Sequence, residues 1–530
     1  MAIAAASGAC NLHNEGVDAP RDGLSYPQAI ALSREDEVAD AGNGPDFLYI
    51  ANTNYDLRYN GGSLQSYDLQ AIASALDLQG CRGLDSRAVT DAGASARDNT
   101  TYATETLDAG LADGGVSDAG VLGPLGGMDA QISLPDNWTA SAPSPRGVLC
   151  DGRDPRGDGR LANGTRPATP DPVNAPDCCW DTARELQLVR KAHVSIDSYA
   201  SGLAVSPDNR RLYVPVESFS RLLYFDLFEN GVPDCGIGEN ERCRRGPGLK
   251  SSDDVPGENF PRQIATLAVG KLSDFGAVKT PGEDPTFIAT AHELGGFGLF
   301  VETNGAPLLE DVVTDLNNRP TSLTFDPRHK LMYVTASALP YFARLGVRVS
   351  QSDSYDGERG PRELLYQTSR VTVTGVSQPN DLRDIVLDPY DPDRVWVLIR
   401  GTQEAIAILE IDSTNLSSGA RLVEEVKIGP GPSKLERINQ DGRWFVLSSS
   451  YDGKSIFVID ALSHKLDSVI RNLSGPFKMV HDPVRRLLYV TDFRVSTVRV
   501  VDVAGLTQRG QPRPRIIATL GDPEFEGAIN

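Results

Sequence analysis

The apolar positions of this chain fall into short runs divided by tight, polar turns, and one block of that pattern recurs. Ser206-Pro207-Asp208-Asn209-Arg210-Arg211 leads into Leu212-Tyr213-Val214, and a polar gap separates this from Leu222-Leu223-Tyr224-Phe225-Asp226-Leu227. Asp482-Pro483-Val484-Arg485-Arg486 leads in the same way into Leu487-Leu488-Tyr489-Val490 and then Val498-Arg499-Val500-Val501-Asp502. The proline and the closing aspartate stand 19 residues apart in both copies, Pro207 to Asp226 and Pro483 to Asp502. Further copies begin at Asp326-Pro327, Asp388-Pro389 and Asp441-Gly442, and one near the start of the chain pairs Phe47–Ile50 with Leu64–Leu69. Proline fixes φ and aspartate bonds its own backbone, so each block opens on a tight turn. The Leu-Tyr-Val run after it is branched and aromatic, as suits a strand buried on both faces. The next run ends on an acidic residue, and a further strand often follows, as at Ile264–Val269, Leu422–Ile428 and Ile516–Leu520. Adding the apolar segment before each turn, such as Leu203-Ala204-Val205, gives four short strands per unit.

Four strands recurring at about 40–50 residues are the mark of a propeller blade. Leu488-Tyr489-Val490-Thr491-Asp492 and Met332-Tyr333-Val334-Thr335-Ala336 resemble the repeat of the YVTN β-propellers, whose members usually have seven blades. The resemblance covers most of 190–521 together with 24–70. Pro285–Thr290 with Gly298–Val301 fits a degenerate blade between 272 and 316, and residues 229–260 read as an insertion. The expected fold is all-β, a seven-bladed β-propeller with a long, disulfide-tethered, partly disordered insertion after the first blade. The divisions are a lipoprotein-like tail at 1–23, the first blade at 24–70, the insertion at 71–190, the remaining blades at 191–521 and a tail at 522–530. Residues 90–130 are rich in Asp, Ala and Gly, a composition that buries too little apolar area to offset chain entropy.

Composition sharpens this picture. The chain has 530 residues and a formal charge of −21, which disfavours nucleic acid and anionic lipid as partners. It has no apolar run long enough to cross a membrane as a helix. Its 51 glycines and 35 prolines suit many turns rather than a helical bundle. Of seven cysteines, Cys235 and Cys243 flank a short Gly-containing loop and are the simplest pair. Cys81, Cys150, Cys178 and Cys179 border the long insertion and could form two more bridges. Paired cysteines imply an oxidising compartment. Cys10 follows Ser7-Gly8-Ala9 and resembles the lipidated cysteine of bacterial lipoproteins, although only nine residues precede it and none is basic.

No catalytic constellation stands out. His292-Glu293 has Gly296 where a zinc helix needs its second histidine. There is no Gly-x-Ser-x-Gly elbow and no phosphate-binding glycine loop. His193, His329, His464 and His481 stand beside turns or strand ends, where a surface or blade-edge role is the plainer one. Asp151, Asp154 and Asp158 lie on a Gly-rich loop and make calcium the one cofactor suggested by donor chemistry, against arginines at 153 and 156 and a spacing unlike an EF-hand. The tripeptide Arg156-Gly157-Asp158 is too short a match to carry an adhesion reading. Residues next to the innermost strands of a propeller reach its channel mouth. Ser201, Thr321, Arg383, Asp384, Lys434, Arg437, Phe477 and Lys478 stand there, and the cations among them would either draw an anionic ligand or pair with neighbouring aspartates.

The expected function is binding: an exported, lipid-anchored propeller at the bacterial outer membrane or periplasm, presenting a surface to a protein or polymer partner or to a ligand. It would touch the membrane only through the lipid on Cys10. One alternative is a lactonase-like hydrolase with its site at the channel mouth, by analogy of fold alone. Another is a structural subunit of an envelope or extracellular assembly.

Overall fold

Each copy of the repeat becomes one antiparallel sheet of four strands, and seven such sheets form the ring of a seven-bladed β-propeller. The computed structural model describes residues 24–33, 44–53, 61–78, 189–217, 221–236, 242–247, 263–276, 284–293, 295–302, 305–313, 319–349, 363–375, 381–401, 404–412, 419–507 and 514–521. The innermost strands, from blade one to blade seven, are Pro27–Leu32, Ala204–Val205, Ile264–Lys271, Arg319–Asp326, Leu382–Leu387, Pro432–Gln440 and Pro476–Asp482. Each touches the innermost strand of the next blade, and the seventh touches the first.

The second strand of most blades carries a Leu-Tyr-Val-like run, and the aromatic residue is its anchor. Tyr49, Tyr213, Tyr333, Trp396 and Tyr489 are fully buried between neighbouring sheets. The turn before that strand is held by a buried aspartate. Asp482 Oδ1 accepts from the amides of Val484 (3.1 Å) and Arg485 (2.9 Å), and Asp388 Oδ1 accepts from Tyr390 (2.8 Å) and Asp391 (2.9 Å). The other oxygen of Asp388 takes the indole N–H of Trp396 at 2.7 Å, so turn and anchor are locked together. Ser206 replaces this aspartate in blade two and accepts from the Arg211 amide at 2.9 Å.

Among the described residues, ring closure uses no exchanged strand. Blade seven is built wholly from Pro476–Leu520 and blade one begins at Pro27. They are joined by a shared core in which Leu24, Ile30, Leu48 and Leu69 pack with Val480, Tyr489, Val500 and Leu520. A polar clasp lies below that core. Asp482 Oδ2 accepts from Arg485 Nη1 at 2.9 Å, and the same nitrogen donates to the carbonyl of Pro45 at 2.7 Å. The acidic residue that ends the third strand of blade one, Asp68, caps a helix at Leu69–Leu78 by accepting from the Ala71 amide at 2.9 Å. The fourth strand of that blade is Arg190–Ile196, so residues 79–188 fall between two strands of one sheet.

Three boundaries differ from the sequence reading, the first being that blade one, read as 24–70, extends to its fourth strand at Arg190–Ile196. Ile264–Lys271 is the innermost strand of blade three, not an outer strand of blade two, and that blade therefore runs from Ile264 to Val313. Within 229–260, Pro233–Asp234 is the short fourth strand of blade two. Beyond it the Leu222 amide donates to Pro247 (3.3 Å) and the Tyr224 amide to Arg245 (3.1 Å), so a second segment completes the edge. An alternating apolar run reads the same at either edge of a sheet, and only its neighbours assign it. Cys235 and Cys243 are bonded, with their Cα atoms 5.8 Å apart. The second cysteine sits at the seam to blade one, since the Cys243 amide donates to Ser195 (2.8 Å) and Arg242 pairs with Asp197 at 3.3 Å. Closing so short a loop contributes about 2–3 kcal/mol in the chain-entropy account. Cys10, Cys81, Cys150, Cys178, Cys179, Asp151, Asp154 and Asp158 lie outside the described residues.

Candidate functional site at the channel mouth

The ring of innermost strands lines two adjoining chambers. The upper one, at the end where these strands begin, has a volume of about 450 Å³, and the lower one about 310 Å³. Thr266, Leu267, Lys434 and Lys478 border both and form the waist between them.

A local feature of the backbone aims side chains into this space. Innermost strands begin with or next to proline at Pro27, Pro320, Pro432 and Pro476, and the pairing register slips there, between Pro432 and Lys434 and between Pro476 and Met479 for example. Proline cannot donate to the ladder, and a bulge at the strand start re-aims the residues after it. Two consecutive residues then reach the channel, Ser433 with Lys434 and Phe477 with Lys478. Leu382–Leu387 has the same slip without a proline, and there Arg383 and Asp384 both border the channel.

The eight candidates from the sequence are thus brought to one channel, but not to one point; Ser201 and Thr321 border the upper chamber. Arg383 and Phe477 line the upper chamber, Asp384 and Arg437 the lower, and Lys434 and Lys478 both. All but Lys478 are engaged by their surroundings. Arg383 binds Asp381 through Nη2 at 2.7 Å and Nε at 3.1 Å. Asp384 accepts from the amides of Ile385 (3.0 Å) and Leu435 (2.8 Å), which ties blade five to blade six. Arg437 donates to the Leu387 carbonyl at 3.2 Å. Lys434 donates to the Thr321 carbonyl at 2.7 Å. Burial pulls the Lys434 ammonium below the ordinary lysine range; Lys478 and Arg383 push the same way and Asp384 opposes them. The Lys478 amide is held by Thr491 Oγ1 at 2.9 Å, and its ammonium has no hydrogen-bond or ion-pair partner among the described residues.

Other lining residues escape sequence reasoning. Tyr451, Phe493 and Arg400 come from the ends of second strands, whose loops carry no repeat signal. Phe493 stands 6.4 Å from both Phe477 and Tyr451, centroid to centroid, and 5.3 Å from Tyr26. Arg400 is paired with Asp452 at 3.0 Å. On the same rim, at the seam of blades two and three, burial and the nearby charge of Glu293 raise the Glu217 carboxyl to about 7. In the lower chamber His481 bonds Gln440 at 3.2 Å, and burial lowers its imidazole to about 3, so it is neutral at physiological pH. His292, whose neighbours fail the zinc-helix motif, is the buried last residue of Thr286–His292 and contacts Thr290 Oγ1 at 2.9 Å. Among the described residues no three His, Cys, Asp or Glu side chains converge as a metal site requires.

No protein-family model matches the chain, and no curated protein does. Solved structures with detectable likeness include a protein from Bacteroides uniformis assigned provisionally as a 6-phosphogluconolactonase. It is 18% identical over 56% of this chain and 76% of that one, with a TM-score of 0.36. A protein from Lactobacillus plantarum is 13% identical over 63% and 90% of the two chains, with a TM-score of 0.42. The dihydro-heme d1 dehydrogenase NirN, solved in complex with DHE, is 15% identical over 74% and 67%, with a TM-score of 0.40. None of these likenesses bears on the chemistry of the mouth.

Proposed function

We propose that this protein is a non-catalytic binding module that takes an anionic ligand at the upper mouth of its propeller channel, and that it works at the bacterial cell envelope, anchored by a lipid on Cys10. The observation that carries the binding reading is the ammonium of Lys478, which has no partner among the described residues and stands beside Lys434 where the two chambers meet. A charge left without a partner at a narrow, low-dielectric opening focuses its field outward and attracts a counter-ion. The net charge of −21 makes that local positive potential stand against the rest of the molecule. A hydrolase would need an acid–base pair in reach of the same space, and His481 is neutral and bonded to Gln440 in the other chamber. The Cys235–Cys243 bridge supports an oxidising compartment and hence export. The YVTN assignment rests on the Leu488–Asp492 and Met332–Ala336 motifs.

Calorimetric titration with acetate and with inorganic phosphate tests the binding reading. Wild-type chain is expected to bind at least one of these anions, and Lys478→Gln to weaken that binding about tenfold or more, the range of one lost charge-assisted hydrogen bond. Wild-type chain that binds neither anion overturns the reading, and turnover of a lactone would replace it with the hydrolase. Incorporation of a labelled fatty acid that persists in Cys10→Ser would remove the anchor.

A further inference from the structure

We infer that the ligand of the upper mouth is an aromatic monocarboxylate, with its carboxylate on Lys478 and Lys434 and its ring against Phe477, Phe493 and Tyr451. This rests on the anion-binding reading above and narrows it.

Charge sets the valence. Five cations border the two chambers: Arg383, Arg400, Lys434, Arg437 and Lys478. Asp384 and Glu436 border them too, and Asp381 and Asp452 stand behind Arg383 and Arg400. In the upper chamber Arg383 and Arg400 are paired with Asp381 and Asp452, and Lys434 is bonded to the Thr321 carbonyl, which leaves Lys478 as the cation without a partner among the described residues, and a single carboxylate would match it. A phosphate dianion would carry a second charge with nothing to meet it, at a cost that grows as water is excluded.

The polar surface argues against a sugar. A sugar needs hydroxyl and amide partners for each of its own hydroxyls, and three hydroxyls of the upper chamber are already committed to backbone carbonyls. Ser201 donates to Ile264, Thr321 to Leu382 at 2.6 Å and Ser433 to Gly431 at 3.3 Å. What the wall offers instead is a run of aromatic rings, Phe477, Phe493 and Tyr451, each half-buried and each bordering the cavity. Arg494 lies over the Tyr451 ring at 4.6 Å and fixes its orientation. Rings at centroid separations of 4.5–7 Å attract one another beyond the area they bury, and a ligand ring would extend the set. Size permits it: about 150 Å³ of enclosed apolar space holds benzene, so 450 Å³ takes a ring, a short arm, a carboxylate and its waters.

The test is calorimetric titration of the full chain with phenylacetate, acetate, phenylacetamide and inorganic phosphate. Phenylacetate should bind about tenfold tighter than acetate, the scale of one buried ring contact, and phenylacetamide should show no measurable binding. Phe477→Ala should bring phenylacetate to within about twofold of acetate while acetate affinity holds. Phe477→Leu keeps apolar volume without the ring and carries the comparison if the alanine variant does not fold; it should lose most of the same gap. Equal affinity of acetate and phenylacetate for wild-type chain overturns the inference and leaves the anion site standing. Phosphate as the tightest probe also overturns it. Binding of neither carboxylate nor phosphate overturns both readings together.

Discussion

The two ends of the channel use the same residue types to opposite effect. At the lower end the charges of the repeat serve the fold. Asp326, Asp388 and Asp482 are buried, and each accepts from the backbone of its own turn. Arg328 reaches the Asp388 carbonyl of the next blade at 3.4 Å, and Arg485 reaches Pro45 across the closure. At the upper end the strands begin on prolines and bulges, Arg383 and Arg400 are paired with aspartates, and Lys478 is turned toward the cavity. Lys478 has no partner there among the described residues, and Glu217 is held near Glu293. A buried charge that is fully bonded is part of the scaffold, whereas one left unbalanced at a cavity persists at a cost to stability that binding can offset. The contrast therefore separates structural from functional polarity within a single repeated unit.

Mutations at the two ends should divide accordingly. Asp482→Ala breaks the comparison at its strongest point. It removes the acceptor of two amides and strands Arg485 at the ring closure, and should cost about 3 kcal/mol in urea unfolding. A loss below about 1 kcal/mol would mean that the shared apolar core alone closes the ring. Glu217→Gln comes next and has the opposite sign. The native carboxyl holds its proton up to about pH 7, against 4.5 for the ordinary group, so the folded chain binds the extra proton between those values. Stability of the wild-type protein therefore falls as pH rises from 4.5 toward 7. The glutamine variant should match wild type near pH 4 and exceed it near pH 8, by on the order of 1 kcal/mol once partial solvent screening is allowed for. A variant less stable than wild type at pH 8 would show that the carboxylate is paired rather than strained. The smallest effect is expected at Lys478→Gln, whose unfolding free energy should stay within about 0.5 kcal/mol of wild type while anion binding is lost. A large drop in stability would move Lys478 to the scaffold side of the divide.

Much of this was legible in the chain itself. The Asp-Pro turn, the Leu-Tyr-Val run and the closing acid are local devices, set by φ restriction, side-chain-to-backbone bonding and β preference within a few residues, and six of the seven blades announce themselves through them. Blade three does not, because its Asp284-Pro285 abuts Thr286–His292 directly, without the basic turn residues between them that the other copies have, and its innermost strand reads like an outer one. The cationic half of the mouth was legible because it sits at fixed offsets from the repeat: Arg383, Lys434 and Lys478 come just before or within an innermost strand. The aromatic half was not. Tyr451 and Phe493 follow second strands from blades six and seven, and nothing in the residues around them says that they meet Phe477 over one cavity.

Periodic local chemistry thus determined the blade, the number of blades and the turn that each is built around. Tertiary structure decided which strand is inner and which outer, that the ring closes by Arg485 and a shared core without strand exchange, and which charges remain unbalanced. The reason is one of range. Turn formation and strand preference act between neighbours in sequence, whereas the balance of charge at a channel depends on side chains from several blades arriving in one low-dielectric space. No single repeat contains the excess positive charge; it appears only when the ring brings Lys434 beside Lys478.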